Sequence, residues 1–132
     1  MSKKGEIEFP DPGLSRSKGL IAVGGNLEVS TLIQAYSKGI FPWFSKGSPV
    51  LWWSPDPRMV LFPSKFKISK SLQQTLRSGK FEIKFDTEFE RVIGNCARIP
   101  RRGQYDTWIT RNMINAYIRL HTEGYAHSVE SY

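Results

Sequence analysis

The sequence is poor in the residues that build metal sites and covalent staples. Its 132 residues hold one cysteine, Cys96, and two histidines, His121 and His127. A lone thiol excludes an internal disulfide, and no Cys/His spacing suits a structural zinc ion. Cys96 reads as a small apolar residue on a helix face, in keeping with a reducing compartment. There is no apolar run near the about 18 residues that a membrane helix needs, so no membrane association is expected. The charged opening Met1-Ser-Lys-Lys-Gly-Glu-Ile-Glu8 lacks the apolar stretch of a secretory signal, which points to the cytoplasm. Acidic residues are scarce too: 12 Asp and Glu stand against 19 Lys and Arg, a net charge of +7. That balance attracts polyanions, RNA first among them. What remains is a globular composition, 39% hydrophobic and 13% aromatic. The length suits one small domain plus a remnant and is short for a two-domain enzyme.

Pattern and punctuation predict an α+β fold. Residues 1–18, with Pro10, Pro12 and Gly13, read as a loosely packed lead-in. The apolar run Gly19-Leu-Ile-Ala-Val23 closes on the turn Gly24-Gly25-Asn26. A helix is expected from about Val29 to Lys38, with Leu32, Ile33 and Tyr36 on one face and Gly39 ending it. Pro42 then leaves Phe41, Trp43 and Phe44 on a loop. Strands are expected at Val50–Trp53 and Arg58–Phe62, paired in a hairpin-like way across Ser54-Pro-Asp-Pro57. Ser69 can cap a helix bearing Leu72 and Leu76, and Phe81, Ile83 and Phe85 alternate with Glu82 and Lys84 as in a half-buried strand. Asp86 or Thr87 can cap a helix carrying Phe89, Val92, Ile93 and Cys96, which Pro100 stops before the basic loop Arg98–Thr107. Thr110 opens a last helix through Met113, Tyr117 and His121, and a strand is expected over Tyr125–Tyr132. An edge strand closing the sequence leaves the sheet unfinished, so further strands are expected beyond Tyr132.

Three aromatic segments carry the chemistry. Phe41-Pro-Trp-Phe44 can present a flat face on which a nucleobase stacks, or it can fill a core. In Leu51-Trp-Trp-Ser-Pro-Asp-Pro-Arg58 the adjacent indoles of a strand must point to opposite faces, so one of them needs a partner outside the shared core. An Asp56–Arg58 ion pair can fix the turn that follows. Trp108, in Thr107-Trp-Ile-Thr110, sits just before a helix N-terminus, where free amides favour an anionic or polar ligand. It is a second stacking surface or a hydrophobic staple.

Taken with Gly19-Leu-Ile-Ala-Val-Gly-Gly-Asn-Leu27, Ala35-Tyr-Ser-Lys-Gly-Ile-Phe-Pro-Trp-Phe44 and Ala116-Tyr117, these segments resemble, in order, the pattern of the leucyl/phenylalanyl-tRNA–protein transferases. The resemblance runs over residues 9–132. It implies a cytoplasmic, monomeric enzyme with no metal or diffusible cofactor. Such an enzyme moves Leu, Phe or Met from aminoacyl-tRNA onto proteins with an N-terminal Lys or Arg, marking them for degradation. It also implies a small N-terminal α/β domain, here residues 1–62, followed by the start of an acetyltransferase-like (GNAT-type) domain at 63–132. Trp43 and Trp108, with Tyr36 nearby, match the positions that hold the terminal aminoacyl-adenosine. Tyr117 also matches a motif position, although its helical phase fits core packing equally well. The acidic residue and the glutamine credited with the chemistry are expected beyond Tyr132, so no catalytic residue is assigned. The basic loop, with Arg98, Arg101 and Arg102, is longer than the family pattern.

Lys65, Lys67, Lys70, Arg77, Lys80 and Lys84 concentrate charge around the predicted helix that Ser69 caps and are candidate contacts to the tRNA body. Two other readings stay open: a non-enzymatic RNA-binding fragment, and a transferase of related architecture such as the cell-wall peptide-bridge enzymes. The Trp52-Trp-Ser-Pro-Asp-Pro-Arg58 segment argues against the latter.

Overall fold

The computed structural model describes residues 7–14, 18–100 and 107–132. Arg101 and Arg102 of the basic loop lie outside the described residues. The fold is mixed α+β, with two small antiparallel sheets and four α-helices among the described residues. The first sheet has the order β1-β3-β2, from β1 (Leu20–Val23), β2 (Phe41–Pro42) and β3 (Leu51–Trp53). β1 meets β3 through Leu20↔Trp53, Ala22↔Trp52 and Val23↔Leu51, with a bulge between Leu20 and Ala22. On its other edge β3 takes Phe41↔Trp53 and Pro42↔Trp52.

This arrangement corrects two expectations. Phe41 and Pro42 belong to a short edge strand rather than a loop, which Pro42 tolerates because it needs no amide donor at the edge. Residues 58–62 form no strand: both edges of β3 are already occupied, so no hairpin with it can form across Ser54-Pro-Asp-Pro57.

Helix α1 (Val29–Ser37) buries Thr31, Leu32 and Ala35 and ends where Gly39 takes φ 71°. Helix α4 (Arg111–Thr122) starts at Thr110, whose hydroxyl accepts the Met113 amide at 3.4 Å. Ala116 and Leu120 of α4 share one core with Phe9, Leu32, Ala35, Ile40 and Trp52. Phe9 corrects the reading of residues 1–18 as loosely packed. It is buried edge-on against Trp52 at 4.8 Å, and its carbonyl accepts from Lys38 Nζ at 2.6 Å. The aromatic ring supplies enough apolar area to fix a segment that has no helical or strand period.

The second sheet is a ribbon of β4 (Ile83–Phe85) and β5 (Val129–Ser131), paired Ile83↔Ser131, Lys84↔Glu130 and Phe85↔Val129. β5 is shorter than the strand expected from Tyr125. Helix α2 (Lys70–Arg77) is capped by Ser69 Oγ, which accepts the Leu72 amide at 3.2 Å, and it buries no residue. β4 is likewise exposed throughout, against the expectation of a half-buried strand.

Helix α3 (Phe89–Arg98) has its cap at Glu88, and neither Asp86 nor Thr87 takes that role. The free amides are met from across the fold. The Glu130 carboxylate on β5 accepts from the amides of Thr87 and Glu88, at 3.4 and 3.3 Å, and from the Thr87 hydroxyl at 3.1 Å. A carboxylate there suits the positive end of the helix dipole. These bonds and the Ser128 hydroxyl hold its pKa below the ordinary glutamate value. Asp86 instead turns the chain at φ 57° and receives the Ser128 amide on Oδ1 at 2.8 Å. Among the described residues no helix is long and apolar enough to cross a membrane.

Candidate functional site

The two adjacent tryptophans of β3 do point opposite ways. Trp52 is fully buried, and its Nε1 donates to the Gly24 carbonyl at 2.9 Å. The strand alternation then carries Trp53 to the other face, where its Nε1 donates to the Trp43 carbonyl at 2.8 Å. That bond anchors the Phe41–Phe44 segment on β3, together with the Trp43 amide donating to the Leu51 carbonyl at 2.9 Å. Trp43 is 52% exposed, its ring 6.3 Å from that of Trp53 and tilted 58° to it. The backbone of Trp43 is therefore fixed while its indole stays open to solvent.

Tyr36 lies one turn beyond Leu32 on the same side of α1, near the end of the helix, and is 47% exposed. Its hydroxyl hydrogen-bonds the hydroxyl of Tyr117 on α4, and the two rings stand edge to face at 6.4 Å. Desolvation raises the Tyr36 hydroxyl above the ordinary tyrosine value, while the Tyr117 hydrogen bond and the charge of Arg58 oppose it. Desolvation raises the Tyr117 hydroxyl further, reinforced by Tyr36. Both phenols are thus neutral donors and acceptors near neutral pH, and neither offers a phenolate base.

Tyr117 also lines an apolar cavity of about 310 Å³, with Trp108, Phe89, Ile93 and Met113 among its walls. Trp108 is half-buried at this cavity, two residues ahead of the Thr110 cap. The structure thus brings Tyr36 and Tyr117 into contact and places Tyr117 beside Trp108. Trp43 has its ring contact with Trp53, and no ring contact joins it to Trp108.

Arg58 does not pair with Asp56. Its guanidinium donates to the Gly39 carbonyl at 3.2 Å and lies over the Phe41 ring at 5.0 Å. The reason is placement: the chain turns at Ser54-Pro-Asp-Pro57, and Arg58 falls back across the end of α1 and β2. It braces the Tyr36 end of the site instead of the turn.

Lys65, Lys67, Lys70, Arg77, Lys80 and Lys84 are all exposed. Lys65 lies over Phe62 and Lys80 over Phe81, each at 5.4 Å. Lys84 is partly neutralised by Glu82 at 3.4 Å.

Three features escaped the sequence reading. The Tyr36–Tyr117 contact joins residues 81 apart; each was visible in its own motif, but nothing local pairs them. The Asp86 carboxylate receives His127 Nδ1 at 2.7 Å, a contact set by ribbon register. A cavity of about 510 Å³ with mixed polar and apolar walls lies among Asn26, Leu27, Phe44, Asn112, Asn115 and Arg119. The spacing of Asn112, Asn115 and Arg119 on one side of α4 was its only signal.

The family model "Leucyl/phenylalanyl-tRNA protein transferase" matches residues 60–132, and that of its N-terminal domain matches residues 25–56. The chain belongs to the leucyl/phenylalanyl-tRNA–protein transferase family. A protein of that name from Anaeromyxobacter sp. (strain K) is 54% identical over 127 residues, covering 96% of this chain and 54% of the relative. The Oleidesulfovibrio alaskensis protein is 53% identical over 125 residues, covering 95% and 50%. That of Myxococcus xanthus is 50% identical over 124 residues, covering 94% and 53%. The chain therefore spans about half the length of the curated relatives it matches.

Proposed function

We propose that this chain forms the front part of an aminoacyltransferase that takes Leu, Phe or Met from aminoacyl-tRNA and joins it to the N-terminal Lys or Arg of an acceptor protein. The product is marked for degradation. On this reading residues 1–62 form the N-terminal domain, residues 63–132 begin a GNAT-type domain, and the protein acts as a cytoplasmic monomer. The terminal aminoacyl-adenosine rests on Trp43, Trp108 and Tyr36. The observation that carries the reading is the open indole of Trp43, held by backbone bonds on β3, in a chain whose second tryptophan, Trp108, borders a cavity.

The reaction needs a neutral α-amine of the acceptor to attack the ester carbonyl. A C–N bond forms, the ester C–O bond breaks, and the ribose hydroxyl leaves with the proton that the amine gives up. Positioning supplies much of the rate, and it is what these residues offer. A stacked adenine fixes the ester, and the paired Tyr36 and Tyr117 hydroxyls offer one donor and one acceptor to ribose or ester oxygens. No general base or oxyanion donor is assigned on this reading; His127 is hydrogen-bonded to Asp86 and Arg58 to the Gly39 carbonyl. Lys65, Lys67, Lys70, Arg77, Lys80 and Lys84 meet phosphates of the tRNA body.

The half-length match favours one other reading: binding of charged tRNA without transfer. Incubating this chain with charged tRNA and an Arg-initiated peptide separates the two. Extended peptide establishes transfer by this chain, and retention of tRNA without product leaves binding alone. Neither product nor retention overturns both.

A further inference from the structure

The cavity of about 510 Å³ beside α4 is separate from the aromatic site: none of Tyr36, Trp43, Trp108 and Tyr117 lines it. Helical phase gives the reason. Tyr117 is two positions from both Asn115 and Arg119, hence about 200° round the helix from each. Asn112, Asn115 and Arg119 fall within about 60° of one another and line the cavity from one side of α4. All three are exposed, so a ligand reaches them without rearrangement of the core.

The rest of the wall comes from the turn after β1 and the segment after β2. Gly24 and Gly25 turn the chain at φ 92° and 87°, which delivers Asn26 to the cavity. Asn26 Oδ1 accepts from the Glu28 amide at 3.0 Å and from the Thr31 hydroxyl at 2.8 Å. Its side chain is thereby fixed, and its NH2 group has no hydrogen-bond partner among the described residues. Phe44 and Leu27 add apolar wall. The loop beyond Phe44 is closed on itself, since the amide and the hydroxyl of Ser48 both donate to the Ser45 carbonyl, at 3.1 and 2.7 Å.

This lining discriminates between ligand classes. Among the described residues that line the cavity Arg119 carries the only charge, and no carboxylate of the described residues pairs with it. A guanidinium so placed suits a phosphate, which it can hold through two parallel N–H donors. Each asparagine amide offers donors and an acceptor on one edge, the complement of a nucleobase edge. Phe44 supplies an aromatic surface for the base plane. An apolar ligand would leave the guanidinium and the amides unpaired, and a bare anion would use neither the amide edges nor the ring. Asparagine is also a poor helix former. Asn112 and Asn115 therefore cost α4 stability that Glu, Lys or Gln would restore on a plain solvated surface.

We propose that this cavity binds a nucleotide bearing a 5′-phosphate, with the phosphate on Arg119, the base edge on Asn112 and Asn115, and the base plane against Phe44. The nucleotide is free or is an unpaired residue of an RNA strand, and the net charge of +7 attracts both. The proposal does not depend on the aminoacyl-adenosine site.

The test is two-dimensional NMR of this chain labelled with 15N, in which the side-chain amide signals of Asn112 and Asn115 report the cavity directly. The probes are AMP, CMP, GMP and UMP, their nucleosides, inorganic phosphate, and a short single-stranded RNA of the preferred base. Saturable shifts of both amide signals are expected with at least one nucleotide. Its nucleoside should bind about tenfold more weakly or worse, the worth of a charge-assisted hydrogen bond. Arg119→Gln, at an exposed position, should lower nucleotide affinity to that of the nucleoside at an unchanged urea midpoint. Tighter binding of the RNA than of the free nucleotide identifies a strand as the source; otherwise the source is the free nucleotide. Absence of saturable shifts with every probe overturns the proposal. So do equal shifts with inorganic phosphate alone, or a phosphate preference that survives Arg119→Gln. The indole N–H signals of Trp43 and Trp108 report the aromatic site in the same spectra. Nucleotide shifts confined to those indoles overturn the proposal, whereas an aminoacyl-adenosine analogue that moves neither indole counts against the other site alone.

Discussion

Trp52 and Trp53 are neighbours in sequence with opposite duties. Trp52 fills the core against Phe9 and donates to the Gly24 carbonyl, so Trp52→Ala removes a large buried ring and a hydrogen bond to a part-buried acceptor. A loss of about 3–5 kcal/mol in unfolding free energy is expected, read from urea titration. Trp43, half open, contributes little to that core, so Trp43→Ala should leave the urea midpoint nearly unchanged. It should instead weaken binding of an aminoacyl-adenosine, since stacking is worth about 1–3 kcal/mol per base. The adjacent-indole argument made one of these roles visible in the sequence, because strand geometry forces the two rings apart. Which ring went inward depended on β3 receiving partners on both edges, and no local pattern carries that information. Tyr117 shows the same limit: its phase placed it toward the core, and only the fold revealed the hydroxyl of Tyr36 opposite it.

At the scale of elements, helix ends were the most readable features. Ser69 and Thr110 cap α2 and α4 as their positions before the apolar periods predicted. Thr110→Ala should cost about 1 kcal/mol, measured as a lower thermal midpoint. The end of α3 was misread because its cap comes from Glu130, 42 residues away from Glu88. Beside that cap, Asp86 and His127 tie the turn after β4 to the segment entering β5. The hydrogen bond to Asp86 raises the His127 pKa, and the bonds from His127 and Ser128 lower that of Asp86. A raised histidine contributes fully below its unfolded pKa and loses its contribution as pH rises through the folded one. A lowered carboxylate contributes above its unfolded pKa and loses it as pH falls through the folded one. Urea midpoints should therefore fall on the alkaline side of the raised His127 pKa, and His127→Ala should flatten that slope. An unchanged slope in the variant would assign the pH dependence elsewhere. On α2, Lys70→Glu with Arg77→Glu should reduce tRNA affinity and the steepness of its salt dependence. Equal affinity would make this side of the helix a plain solvated surface.

For the molecule as a whole, the α+β class and the positions of α1 to α4 followed from period and punctuation, whereas pairing did not. Residues 58–62 have strand composition but lie outside any sheet, because a strand is defined by an available edge and β3 has none left. Phe9 has no periodic neighbours yet enters the core with α1 and α4. The apolar side chains of β4 were read as half-buried from their alternation, and they are open, as are Leu72 and Leu76 of α2. Period and alternation mark an apolar side, and they carry no information on whether anything covers it. The candidate site was legible as separate aromatic motifs, since indoles on loops are conspicuous in any sequence. Its assembly rests on long-range contacts, with Trp53 anchoring the Trp43 segment and Tyr117 linking Tyr36 to the cavity of Trp108.

The most direct test is titration of this chain with a non-hydrolysable 3′-phenylalanylamido-adenosine, followed by tryptophan fluorescence. Saturable quenching is predicted, with Trp43→Ala and Trp108→Ala each weakening affinity by about 5-fold to 150-fold at an unchanged urea midpoint for Trp43→Ala. Saturable binding with the same affinity in both variants would contradict the account.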